Sequence, residues 1–233
     1  MKTEICKKTE DLVEAAASII ASQLAAKPES VLALACGETM LPVWDALAAR
    51  CSAGELSLKR ARVLCVTEFC GAEESKTCRH ALTDELFGRT DADPVNCFFP
   101  DPDAPEAYDA LIESLGGIDL AVLGIGEDCH IGYNEPGTLF NTHTHVQKLT
   151  DRSKRQLLKR GFAENDMPEK AVTMGIRDLT SARDILVLAS GEDKAAAVFQ
   201  MLYAKNTSYI PAAYLQIPSE VTVLLDEAAA SKL

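Results

Sequence analysis

Between Gly124 and Pro136 the chain reads GIGEDCHIGYNEP, which places three acids, one histidine and one cysteine within thirteen residues, directly after an uncharged apolar run. His130 has Asp128 two residues before it and Glu135 five residues after it. A nearby carboxylate orients an imidazole and stabilises its protonated form, which suits a histidine that shuttles protons near neutral pH. The plain alternative is a hydrogen-bonded structural histidine in a loop. Pro136 biases Glu135 toward extended backbone, so the Asn134-Glu135-Pro136 corner fixes where that carboxylate points.

Two further clusters have the composition of anion cradles. Gly37-Glu38-Thr39 and Gly191-Glu192-Asp193-Lys194 each stand between an apolar run and a helical pattern, where exposed backbone N–H groups face whatever binds. Gly37 permits close backbone approach, Thr39 offers a hydroxyl, and Lys194 brings a point charge. Either segment alone also fits an ordinary strand-to-helix turn with a cap. His143-Thr144-His145 could present two imidazoles on one strand face and, with Cys129 or Asp128, ligate a metal; no further ligand spacing supports this, and no metal is expected. Eight cysteines at 6, 36, 51, 65, 70, 78, 97 and 129 form no C-x-x-C pair, so they read as thiols rather than a zinc ribbon or redox motif.

The elements that must position these groups follow from short apolar runs alternating with amphipathic ones. Helices are expected over 10–26, 42–50, 106–115 and 194–204, and strands over 31–35, 62–66, 118–123, 185–189 and 221–225. The strands are continuously rather than alternately apolar, which implies a mostly parallel sheet with helices on both faces. The expected fold is therefore one α/β domain over residues 1–233, doubly wound and Rossmann-like. In such sheets ligands sit outside the carboxyl ends of the strands, where residues 36–39, 67–68, 127–135 and 191–194 would converge.

Charge narrows the partners. With 35 acidic and 23 basic residues the formal charge is −12, which repels phosphate backbones and anionic headgroups, so neither nucleic acid nor membrane is expected. No signal-peptide h-region and no long uncharged apolar stretch is read, so the chain is expected in the cytoplasm. Its final Ser231-Lys232-Leu233 would address a peroxisome only in a eukaryotic cell.

These residues resemble one known family, the glucosamine-6-phosphate deaminases and galactosamine-6-phosphate isomerases, more distantly related to the 6-phosphogluconolactonases. The segment from Leu120 through Pro136 is similar to the family signature, and its Asn-Glu-Pro ending favours the aminosugar branch. VLALACGETMLPVWDAL and TSARDILVLASGEDKAAAV resemble the family's first phosphate loop and its lysine loop, and LTDRSKRQLLK at 149–159 looks most like the galactosamine-6-phosphate branch. The resemblance implies that His130 opens the sugar ring, with Asp128 and Glu135 orienting it. Gly37, Thr39, Lys194 and Lys159 would hold the phosphate, with Glu38 in the same loop. It implies no metal or organic cofactor and a small sugar phosphate as partner; a homo-oligomer is left open.

The chain departs from the family pattern where it matters chemically. An Asp-Glu pair is expected after the second apolar strand, and the chain has Thr67-Glu68, so the position of the family's proton-transfer aspartate carries a hydroxyl. A threonine cannot take a proton at neutral pH, and adjacent strand residues such as Glu68 face opposite ways. Cys129 stands where relatives have glycine, and Glu38 where they have a small residue. The main reading is a deaminase/isomerase converting galactosamine or glucosamine 6-phosphate to ketose 6-phosphate and ammonia. The alternatives are a catalytically impaired sugar-phosphate-binding relative and a lactone hydrolase.

Overall fold

The computed structural model describes residues 1–159, 161–218 and 220–233. Seven strands form one all-parallel sheet: β1 (Lys2–Cys6), β2 (Val31–Leu34), β3 (Arg62–Cys65), β5 (Cys97–Phe98), β6 (Leu120–Gly124), β9 (Asp184–Ala189) and β10 (Val221–Asp226). Their order across the sheet is β1-β10-β9-β6-β2-β3-β5. The chain winds outward from β2 through β3 to β5, returns to β6, and then winds the other way through β9 and β10. The direction reverses between β2 and β6, so the loops leaving those two strands diverge and open a crevice at their carboxyl ends.

Alternation along each buried strand divides the core in two. Leu32, Leu34, Val63, Val122, Leu186 and Leu188 pack with the apolar stripes of α1 (Thr9–Ala26) and α2 (Leu41–Ser52). Val31, Ala33, Leu64, Ala121, Leu123 and Val187 pack on the opposite face against α4 (Pro105–Ser114), α6 (Ile176–Thr180) and α7 (Ala195–Tyr203). This is the helix-covered parallel sheet expected from continuously apolar strands.

The expectation missed a second sheet. Three short strands, β4 (Thr67–Cys70), β7 (His145–Lys148) and β8 (Lys170–Thr173), pair antiparallel in the order β4-β8-β7, with Thr67 opposite Thr173 and Thr173 opposite His145. Val66 is the pivot: its N–H bonds Leu34 in the large sheet, and its carbonyl accepts from Met174 beside the small one. Three helices lie outside the expected ones, α3 (Cys78–Glu85), α5 (Asp151–Lys159) and the short α6. β1 went unread because its residues are mostly exposed, as an edge strand carrying Lys2 and Glu4 can be. Among the described residues no helix is long and apolar enough to cross a membrane.

Candidate active site

The crevice at the carboxyl ends holds a cavity of about 270 Å³, walled by the loops after β2, β6 and β9 and by α5. Of the expected residues, Gly37, Glu38, Thr39, Thr67, His130, Lys159 and Lys194 line it. Asp128 and Glu135 stand behind His130 rather than on the wall.

His130 is held from several sides. Its Nδ1 lies 2.7 Å from Asp128 Oδ1 and 3.9 Å from Glu135 Oε2. Among the described residues neither Nδ1 nor Glu135 Oε2 has a well-aligned hydrogen bond, so the approach to Asp128 is close in distance without being one. Tyr133 stacks on the imidazole at 5.4 Å between centroids, and Gly126 lies so close to the ring that a Cβ there would stand 2.4 Å from it. Burial works against a charge on Asp128, but the adjoining His130 outweighs it and holds the carboxyl below its ordinary range. Glu135, almost wholly buried, accepts from the N–H and hydroxyl of Thr150 at 3.1 and 3.3 Å on Oε1, which leaves Oε2 turned toward the histidine.

The loop that carries these groups depends on backbone placement. Asn134, fully buried, donates through Nδ2 to the carbonyls of Ile131 and Met174, both at 2.8 Å, and this fixes the Asn-Glu-Pro corner. Cys129 has φ +68°, a left-handed conformation that favours glycine. Its thiol is pushed up to about 11 by burial and then by the Asp128 charge, which keeps it inert.

The lysine loop depends on a residue the sequence reading overlooked. Gly191, at φ +96°, turns its N–H onto both carboxylate oxygens of Asp226 at 3.1 Å. Asp226 also accepts from the Ser190 hydroxyl, from Ala229 N–H at 2.8 Å and from the Thr9 hydroxyl at 3.4 Å. Burial raises its pKa, but these donors together prevail and hold it below the ordinary carboxylate range. Lys194 therefore sits on a braced turn, with Asp193 3.6 Å from its ammonium. The only advance signal was an aspartate ending the last apolar strand.

On the opposite wall, α5 presents Gln156 and Lys159, three residues apart and so on one helix face. Lys159 pairs with Glu127 at 3.1 Å, and Gln156 Nε2 is buried without an acceptor among the described residues. Gln156 and Tyr133 were not anticipated, although the i,i+3 spacing from Lys159 could have indicated the former.

Thr67 and Glu68 separate sharply. The Thr67 hydroxyl, buried at the cavity wall, shares a hydrogen bond with Thr173 at 3.1 Å. Glu68 lies off the wall and caps α3, accepting from the N–H groups of Phe69, Cys78 and Arg79 at 2.8–2.9 Å. Burial, then the neighbouring Cys78, raises its pKa against those donors. It is therefore a structural cap and not a base facing substrate. The suggested metal triad also does not form: His143 pairs with Asp178 at 2.8 Å, and the His145 ring engages the His143 carbonyl and Gln147, so neither imidazole joins Cys129 or Asp128.

An all-parallel doubly wound sheet carries a histidine beside two acids, and the cavity that this histidine lines is also lined by the two glycine loops and Lys194. The chain belongs to the family of glucosamine-6-phosphate isomerases/6-phosphogluconolactonase, which it matches over residues 7–224. It is 38% identical over 239 residues to glucosamine-6-phosphate deaminase of Bacillus velezensis, covering 99% of each chain. It is 36% identical over 240 residues to glucosamine-6-phosphate deaminase 1 of Bacillus subtilis, again covering 99% of each. A solved structure of a monomeric glucosamine-6-phosphate deaminase superposes with a TM-score of 0.96 at 36% identity over the whole of both chains. A 6-phosphogluconolactonase of Leishmania guyanensis, 19% identical with a TM-score of 0.78, shares the fold.

Proposed function

We propose that this protein is an aminosugar-6-phosphate deaminase whose first substrate is glucosamine 6-phosphate. The observation that carries the reading is His130, backed by Asp128 and Glu135, facing across one cavity to Lys194 and the Gly37–Thr39 loop. Such a histidine can take the C1 hydroxyl proton and return one to the ring oxygen, opening the sugar. A base then moves the C2 proton to C1 through an enolamine. The resulting C2 iminium takes up water and expels ammonia, so aminosugar phosphate plus water becomes ketose phosphate plus ammonia. The resemblance of 149–159 to the galactosamine branch is outweighed by full-length relatives named for glucosamine 6-phosphate.

Thr67 favours a second reading, in which ring opening and binding survive and C2 proton transfer is slow, because no carboxylate stands at that position. Another acid would have to relieve the deficit: Glu38, Glu127 and Asp193 line the cavity, whereas Asp128 stands behind His130. Ammonia release from glucosamine and galactosamine 6-phosphates, measured alongside calorimetric binding, separates the two. Turnover supports the deaminase, binding without turnover supports the impaired relative, and absence of both refutes each. The protein is read as cytoplasmic and metal-independent. Either a monomer, as in the relative described as monomeric, or a homo-oligomer is compatible with this chemistry.

A further inference from the structure

Next to the phosphate loop, and outside the proton-transfer machinery, three thiols from distant parts of the chain converge. Cys36 follows β2, Cys65 ends β3 and Cys78 opens α3; their sulfurs all lie within 4.8 Å of one another, with Cys36 Sγ 3.7 Å from Cys65 Sγ. Cys36 and Cys78 line the substrate cavity, while Cys65 is fully buried behind them. A zinc–thiolate bond is about 2.3 Å long, so two thiolates on one tetrahedral zinc stand roughly 3.7–3.8 Å apart. That is the separation the first pair already has.

We infer that Cys36, Cys65 and Cys78 form a binding site for a thiophilic closed-shell divalent cation, zinc being the type, with the cavity supplying water as the fourth ligand. Three soft donors with one open position discriminate against magnesium and calcium, which demand oxygen. Each thiol surrenders its proton when its sulfur bonds the cation, so binding releases up to about three protons and leaves a net charge of −1 on the cluster. Glu68, whose carboxylate receives Cys78 N–H at 2.9 Å, adds negative potential toward a cation. Because Cys36 adjoins Gly37, an occupied site stiffens the loop that cradles the anion. Access runs through the substrate cavity, so cation and sugar phosphate compete for approach.

Cadmium is the probe. The full-length protein, reduced and stripped with chelator, should take up one equivalent and develop a near-ultraviolet thiolate-to-metal charge-transfer band. Cys36→Ser and Cys78→Ser should each weaken uptake by about tenfold or more, since changes even outside the ligand set cost roughly 10–100-fold. Cys6→Ser, on the edge strand β1, and Cys51→Ser, at the end of α2 away from the phosphate loop, should leave it unchanged. X-ray absorption of the zinc-loaded wild type, which needs no variant to fold, should count three sulfurs at about 2.3 Å. No band, a band that survives both cluster variants, fewer than three sulfurs, or a Cys36–Cys65 disulfide on mild oxidation without metal uptake would overturn the assignment.

Discussion

Replacing Thr67 with aspartate tests whether the cavity lacks only a base. Thr67 is 5% exposed, and its hydroxyl meets Thr173 Oγ1 at 3.1 Å. Thr173 Oγ1 accepts the Tyr133 N–H at 3.1 Å and lies 3.4 Å from the Val66 and Met174 carbonyls, long contacts from which its proton can turn to a carboxylate introduced opposite. Burying that charge costs several kcal/mol, and one or two hydrogen bonds to it return about 1.5–3 kcal/mol each. The net destabilisation is therefore about 1–3 kcal/mol, a fall in Tm of roughly 2–12 °C for a chain of this size. Against that stands the catalytic gain: a positioned base contributes about 10²–10⁴ in rate. Thr67→Asp should raise ammonia release from glucosamine 6-phosphate by about 10² or more, which corresponds to roughly 2.7 kcal/mol off the barrier. The assay couples released ammonia to nicotinamide oxidation at saturating substrate, with circular dichroism and calorimetry confirming fold and binding. A folded, substrate-binding variant with no gain would refute the reasoning. So would wild-type turnover already at the ordinary enzyme level of about 10 s⁻¹, because a base other than residue 67 must then act.

Three further outcomes follow from the geometry. Lys194→Ala should weaken calorimetric binding of hexosamine 6-phosphates by about tenfold or more while leaving free-sugar binding unaltered, because the lost charged hydrogen bond is worth about 1.5–3 kcal/mol; equal losses for both sugars would refute a phosphate role. Gly126→Ala puts a methyl 2.4 Å from the His130 ring, and displacing that ring by about 1 Å should cost about 10² in kcat with the fold retained. Asp226→Asn should lower stability at pH 7 by about 2 kcal/mol or more, since a buried carboxylate accepting several donors is replaced by a neutral amide. Because the folded pKa of Asp226 is depressed, its contribution is complete above the unfolded value of about 3.9 and disappears as pH falls through the folded one. Denaturant titrations of wild type and variant should accordingly begin to converge as pH falls below about 3.9, meet below the folded value, and remain fully apart above about 3.9; a gap that widens on acidification would reverse the assigned sign.

Local pattern alone determined most of the frame. Runs such as Val31–Leu34 and Ile185–Ala189 are apolar at every position, and only burial on both faces satisfies that, so the parallel sheet was legible without long-range information. His130 with its two acids and the loops around Gly37 and Gly191 were legible too, because each belongs to one contiguous segment that must emerge at a strand's carboxyl end. The small antiparallel sheet was not: Thr67–Cys70, His145–Lys148 and Lys170–Thr173 are short and of mixed polarity, and only their mutual pairing makes them strands. Side-chain roles that depend on that pairing were equally hidden. Glu68 reads as an acid beside the site, yet the pleat turns it onto the N-terminus of α3. Asp226 reads as the end of a strand, yet the neighbouring β9 brings Gly191 onto its carboxylate. Cys36 and Cys65 are 29 residues apart in the chain and 3.7 Å apart at sulfur, because β2 and β3 pair in parallel and end side by side. Periodicity reports which face of an element is buried; which groups then meet is decided by register between elements, and register is a property of the assembled sheet.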